Sequence, residues 1–170
     1  MSVKVGLPPI ARGDVRLFVL GSLPGDVSLA AARYYAHPTN QFWRLLGAAI
    51  GEDLQALAYE HRLARLADRR IGLWDVVALA SRQGSLDQAI RNAAHNPVDR
   101  LHRDFPGLRA IAFNGAAAAQ AGRRLIGTPA GIALIDLPSS SAANTQSFAA
   151  KAALWSRLAE FAPAAQNGRR

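Results

Sequence analysis

Val15-Arg16-Leu17-Phe18-Val19-Leu20 is a short, β-rich apolar run, and the turn cluster Gly21-Ser22-Leu23-Pro24-Gly25-Asp26 comes directly after it. A continuous apolar run of this length, stopped by turn residues, reads as a buried strand. Pro24-Gly25 suits the central positions of a type II turn, because Pro presets φ and Gly accepts φ > 0. From Asn40 onward the period changes. Phe42, Trp43, Leu45, Leu46 and Ile50 recur at helical spacing, and a further helix is expected over about 54–69, with Leu57, Leu63 and Leu66 on its apolar side.

The same alternation repeats along the chain. Ile71-Gly72-Leu73-Trp74-Asp75-Val76-Val77 reads as a second strand, and Ser85 is a plausible N-cap for a helix beginning Ser85-Leu86-Asp87-Gln88. Pro97 opens another helix that reaches about Phe105. Arg109-Ala110-Ile111-Ala112-Phe113 reads as a third strand, closed by Asn114-Gly115 and an alanine-rich helix. Ile132-Ala133-Leu134-Ile135-Asp136-Leu137 reads as a fourth, ending in Pro138-Ser139-Ser140-Ser141, and a last helix spans roughly 145–161. Strands separated by helices predict an α/β fold: three α/β/α layers around a central four-stranded parallel sheet. In such folds the ligand sits at the carboxyl ends of the strands. Four loops should meet there: 21–26, the loop that starts at Asp75, Asn114-Gly115, and 138–144.

The chain has 170 residues, 50% of them hydrophobic and 19% charged. That suits one domain, placed over residues 1–162, with a loose tail at 163–170. There are no cysteines, which excludes disulfides, thiolate metal sites and cysteine-ligated iron–sulfur clusters. No apolar run approaches the ~18 residues of a membrane span, and no charged start leads into an apolar signal segment, so a cytoplasmic protein is expected. The formal charge is +8, and 18 of the 20 basic residues are arginines, Lys4 and Lys151 being the exceptions. A GC-rich genome would explain arginine in place of lysine but not the net excess, which fits a polyanionic partner. His95, Asp99 and His102 match no standard metal spacing, and no Walker loop, GxGxxG or GxSxG motif is present. No metal and no cofactor are expected.

Tyr34-Tyr35-Ala36-His37-Pro38-Thr39-Asn40-Gln41-Phe42-Trp43, taken with Gly21-Ser22-Leu23-Pro24-Gly25 and Leu137-Pro138-Ser139-Ser140-Ser141-Ala142-Ala143-Asn144, resembles the uracil-DNA glycosylase superfamily. The closest branch is the hypoxanthine-DNA glycosylase family, with the mismatch-specific uracil/thymine glycosylases as cousins. The resemblance covers nearly the whole chain, since the strand-end loops come in the family's order. It implies a base-excision repair enzyme that hydrolyses the N-glycosidic bond of deaminated bases in DNA, hypoxanthine and/or uracil, and leaves an abasic site. The partner implied is DNA containing such bases, met by a monomer at the nucleoid of a prokaryote. Branches that hold an iron–sulfur cluster are excluded by the absence of cysteine.

The same resemblance implies residue roles. Leu23 stands where many branches place a water-activating Asp or Asn and cannot orient water, whereas the Asn of the HPxN string, Asn40, matches the residue on which the hypoxanthine branch depends. A neutral amide is a poor base, but its carbonyl oxygen can orient water in a reaction where bond breaking runs ahead of attack; alternatively Asn40 is a helix N-cap. Tyr35 matches the aromatic that stacks on the flipped base, with Tyr34 assigned to the core. Asn114 and Asp75 stand where a base edge is read, or else serve as caps. The backbone N–H groups of Ser22 and Leu23 could contact the base carbonyl. Gly25 leaves room for a purine where strict uracil enzymes carry tyrosine, or is required only for the turn. His37 could donate to phosphate or brace its loop. Ser139, Ser140 and Ser141 are expected at DNA phosphates. Ala142-Ala143 replaces the bulky wedge of the cousins, and Asn144 is expected to cap the final helix.

A monofunctional enzyme is expected because neither Lys4 nor Lys151 lies at a strand-end loop, where a Schiff-base amine would be needed. The alternatives are a non-catalytic damaged-DNA binding protein on the same fold and a small-nucleoside hydrolase.

Overall fold

Strand β2 (Leu17–Gly21) is buried along its whole length because it lies between two layers of helices. The computed structural model describes residues 2–164; the last six residues of the expected tail lie outside them. β2 pairs in parallel with β3 (Ile71–Asp75) on one side and with β6 (Ala110–Asn114) on the other. β6 pairs in parallel with β7 (Ala133–Leu137), giving the order β3-β2-β6-β7. Side chains alternate across a strand. Leu17 and Val19 accordingly join one core with Phe42, Leu45, Leu66 and Trp155, while Phe18 and Leu20 join the other with Leu101, Ile111, Phe113 and Ala118. The first core is covered by α2 (Phe42–Ile50), α3 (Tyr59–Asp68) and α6 (Phe148–Trp155), the second by α4 (Leu101–Asp104) and α5 (Ala116–Ile126).

The chain leaves β2 towards β3 and leaves β6 towards β7, so the connections diverge between β2 and β6. That divergence opens a crevice at the carboxyl ends of these two strands. The expected four-stranded parallel sheet and its helical layers are therefore present.

Four local expectations differ. No helix starts at Ser85. Val77–Ser81 (β4) and Arg91–His95 (β5) instead form an antiparallel hairpin, and β1 (Val3–Val5) adds to β4 to make a second, three-stranded sheet. β5 is exposed at all five positions and has the sequence RNAAH, so it carries no apolar alternation to announce it. The Ser85 hydroxyl accepts from the backbone N–H of Asp26 at 3.0 Å and so caps α1 (Asp26–Ala31), a short helix that nothing in the pattern predicted. Gly25 has φ −68° and ψ 167° and is the N-cap residue of α1, not the third residue of a type II turn. The last helix starts at Phe148 under a cap from Ser147, whose hydroxyl accepts from the Ala150 N–H at 3.1 Å. Asn144 instead donates from Nδ2 to the Ser139 carbonyl at 3.2 Å.

The hairpin matters because it carries Arg82, whose side chain is fully buried. Its guanidinium donates to the carbonyls of Gly84 at 2.9 Å, Leu23 at 3.2 Å and Pro24. The planar fork thus fixes the loop after β2 against the second sheet. Arg82→Met would leave these carbonyls without a donor in a dry environment. Urea unfolding should show a loss of about 2–4 kcal/mol, and an unchanged midpoint would contradict the clamp.

Candidate active site

The four strand-end loops enclose a cavity of about 510 Å³, within the ~300–1,000 Å³ usual for small-ligand pockets. Gly21 to Asp26, Tyr34, Tyr35, His37, Asn40, Asp75, Asn114, Ser139 and Ser141 all line it. So does the hairpin turn of Ser85, Leu86, Asp87 and Gln88, which the sequence pattern places on a helix. Among the described residues no lysine or arginine lines it, while Asp26, Asp75 and Asp87 do. A protein of charge +8 thus keeps its cations off the cavity wall.

Close approach begins at Gly21. A Cβ there would lie 2.5 Å from Asp75 Oδ1 and 2.9 Å from the Tyr35 hydroxyl. Glycine at the strand end therefore lets the carboxyl and the phenol share the floor of the cavity. Asp75 is 3% exposed, and its Oδ2 is buried with no hydrogen-bond partner among the described residues. Burial, then the nearby Asp87 charge, raise its pKa to about 7, with Arg82 acting in the opposite direction. Ser22 donates from Oγ to Asp87 Oδ1 at 2.5 Å.

Tyr35 adopts φ +53°, which a non-glycine residue holds only when its surroundings enforce it. Its ring stacks on Phe42, with centroids 3.8 Å apart and planes 10° apart. One face is therefore occupied by protein, and the residue lines the cavity. Its buried hydroxyl has no partner among the described residues, and burial followed by the Asp75 charge pushes its pKa up. Tyr34 takes the core position expected of it and donates to the Pro8 carbonyl at 2.8 Å.

Asn40 and Asn114 meet through Ser140. The Ser140 hydroxyl accepts from Asn114 Nδ2 at 2.8 Å and donates to Asn40 Oδ1 at 2.8 Å. Its backbone N–H donates to Asn114 Oδ1 at 2.9 Å, and its carbonyl accepts from the Gln41 N–H at 2.9 Å. Asn40 Oδ1 also accepts from the Phe42 N–H at 2.9 Å. The N-cap of α2 is Gln41, so Asn40 lies one residue before the cap position of the alternative reading; it satisfies the first N–H of α2 from there while lining the cavity. Two donors fill the two lone pairs of Oδ1. Among the described residues Nδ2 has no protein partner, whereas the carbonyl oxygen expected to orient water already accepts two hydrogen bonds.

Ser140 is fully buried, so it cannot be the phosphate contact expected from sequence; it joins loops instead. Ser139 and Ser141 stay half-buried at the rim. His37 is exposed and its Nδ1 accepts from the Thr39 N–H at 3.1 Å, which leaves the proton of a neutral ring on Nε2. Leu23 packs its side chain against Val77, Ala80 and Ile90. The N–H groups of Ser22 and Leu23 donate to no other group among the described residues. A Cβ on Gly25 would meet Ser85 Oγ at 3.3 Å, so this glycine marks a close approach and not a φ requirement. As expected, neither lysine lies on a strand-end loop, Lys4 being in β1 and Lys151 in α6, but both side chains reach loop residues. Lys4 pairs with Asp26 at 2.8 Å, and the buried Lys151 donates to Gln41 Oε1 at 3.0 Å and the Ser141 carbonyl at 3.3 Å. They approach from outside, and neither lines the cavity.

Comparison with known proteins gives a consistent answer. Residues 8–160 match the family model of the uracil DNA glycosylase superfamily. The chain is 44% identical over 142 residues to the hypoxanthine DNA glycosylase of Methanosarcina acetivorans, covering 84% of this chain and 89% of that protein. It is 46% identical over 112 residues to the hypoxanthine DNA glycosylase of Methanosarcina barkeri, covering 66% and 71%. The solution NMR structure of a candidate uracil DNA glycosylase from Methanosarcina acetivorans superposes with a TM-score of 0.82 at 41% identity, covering 92% of this chain and 96% of that one.

The raised Asp75 pKa has a stability consequence. The folded carboxyl keeps its proton up to about pH 7, whereas the ordinary value is 3.8. Its contribution to stability is complete below about pH 4 and is lost as pH rises through 7, where the charge is buried. Asp75→Asn should raise the melting temperature by roughly 4–10 °C at pH 8 and by little at pH 4. Thermal melts at both pH values check this, and a gap independent of pH would contradict it.

Proposed function

The chain belongs to the uracil DNA glycosylase superfamily and is a base-excision DNA glycosylase, and we propose that the base it removes is hypoxanthine. The observation that carries this reading is the cavity itself, where an amide held by two hydrogen bonds stands in one pocket with a buried carboxyl and a stacked tyrosine. The two curated relatives, both hypoxanthine DNA glycosylases, support the choice of base. Uracil, a smaller base with the same kind of N–H and C=O edge, is a second substrate in this reading.

Excision requires an extruded nucleotide, a held base and a placed water. Departure of the base leaves an electron-poor, oxocarbenium-like sugar that neighbouring phosphates stabilise. Water attacking such a centre needs positioning more than deprotonation. Asn40 Nδ2, the free end of a carboxamide whose oxygen is fixed by Ser140 and the Phe42 N–H, is the proposed holder of that water. Tyr35 offers its remaining face to the base, a contact worth ~1–3 kcal/mol in related stacking. The Ser22 and Leu23 N–H groups donate to a base carbonyl, and Asp75 addresses the base edge. Asn114 acts mainly by bracing Ser140, since both ends of its carboxamide are engaged there. His37, Ser139 and Ser141, at the rim, contact the DNA backbone.

The reading includes a monofunctional enzyme that leaves an abasic site, because no lysine lines the cavity to form a Schiff base. The reading also takes the enzyme to act as a monomer. The cationic surface outside the cavity supports a DNA partner and action at the nucleoid; among the described residues no helix is long and apolar enough to cross a membrane.

Incubation with deoxyinosine and deoxyuridine duplexes, then alkali, tests the reading. Strand cleavage at inosine is expected, with none before alkali. Asn40→Ala should lower the single-turnover rate by about 10²–10³-fold. Intact strands with folded protein would refute the assignment.

A further inference from the structure

The cavity holds a buried, unpartnered carboxyl oxygen whose chemistry goes beyond recognition of the base edge. Asp75 ends β3 with an Oδ2 that is buried, without a partner among the described residues, and set among cavity-lining residues. An ionised carboxylate here would oppose catalysis. Breaking the C1′–N bond delivers an electron pair to the base, and a negative charge at hydrogen-bonding distance raises the energy of that developing anion. Asp87, on the same wall, adds to the repulsion. A neutral carboxyl reverses the effect, because it donates a hydrogen bond, or its proton, to the group gaining charge.

We propose that Asp75 is a general acid for the glycosylase reaction, protonating a ring nitrogen of the departing purine as the bond to C1′ breaks. This rests on the glycosylase reading and adds a catalytic residue to it. Atoms and electrons balance. The C1′–N electron pair goes to the base, the Oδ2 proton goes to a basic ring nitrogen of hypoxanthine, and neutral hypoxanthine leaves. Water forms the C1′–O bond and releases a proton, which restores the carboxyl. No oxidant, metal or co-reactant is required.

The surroundings favour the neutral form at physiological pH. The groups facing Asp75 are Asp87 from the hairpin turn, Arg82 from the end of the hairpin strand, and Tyr34 and Tyr35 from the loop before α2. Only Arg82 is cationic, and its guanidinium is committed to three backbone carbonyls. Burial and the Asp87 charge raise the carboxyl pKa to about 7, so a working fraction carries the proton. A purine benefits most, because hypoxanthine has unprotonated basic ring nitrogens, whereas uracil leaves readily as an anion stabilised by its two carbonyls.

Single-turnover release of hypoxanthine from an inosine duplex, measured between pH 5.5 and 8.5, tests the proposal. Wild-type protein should show a rate that falls as pH rises through a titration near 7. Asp75→Asn should release hypoxanthine about 10²-fold more slowly at pH 6 and lose that pH dependence. Asp87→Asn should move the titration to lower pH without abolishing it, since it removes a charge that holds the Asp75 proton in place. A flat wild-type profile, or an Asp75→Asn protein that keeps the falling limb, would overturn the general-acid role. No release by folded wild-type protein at any pH would instead overturn the glycosylase reading beneath it.

Discussion

The buried hydroxyl of Ser140 is the interaction on which the site depends. With one proton and its lone pairs it joins the loop after β7, the end of β6 and the start of α2. It accepts from Asn114 and donates to Asn40, while its own backbone N–H and C=O complete the joint with Asn114 and Gln41. In a region without bulk water each of these bonds is costly to lose, because the abandoned partner stays desolvated. Asn40 is thereby oriented before any DNA arrives. Lys151 reinforces the same joint from behind, through Gln41 and the Ser141 carbonyl.

A second division of labour is electrostatic. The net charge of +8 suits a surface that meets phosphates, yet among the described residues the cavity wall carries three aspartates and no basic side chain other than His37. Long-range attraction and local chemistry are thus separated in space. Arg82 is the exception in position but not in role: it is buried beside the acids, and its donors are committed to loop carbonyls. The floor formed where Gly21 lacks a Cβ brings Asp75 and Tyr35 together, and burial is the first cause that favours the neutral form of each.

The parallel sheet was legible because β2, β3 and β6 are buried on both faces and read as apolar runs ended by Gly, Asp or Asn, while the edge strand β7, with Asp136 exposed, is marked by its apolar residues and the following Pro138. The YYAHPTNQFW string pointed to Asn40 and Tyr35 through the family resemblance it carries, and both line the cavity. The second sheet was not legible. β5 is solvated on both sides and is held by ladder hydrogen bonds, which leave no mark on side-chain pattern. With the hairpin went Arg82, Ser85 and Asp87, whose neighbours in space lie about 60 residues away in sequence. The burial of Ser140 was hidden for a related reason: a run of three serines gives no sign of which hydroxyl turns inward.

In the proposed mechanism Asn40 is effective because Ser140 fixes it, and a double-mutant cycle on single-turnover hypoxanthine release measures that dependence most directly. Ser140→Ala alone should slow release, and the Asn40→Ala/Ser140→Ala protein should be no slower than Asn40→Ala, since the second change has nothing left to disorient. Losses that multiply independently in the double variant would contradict the claim that the two residues act as one unit.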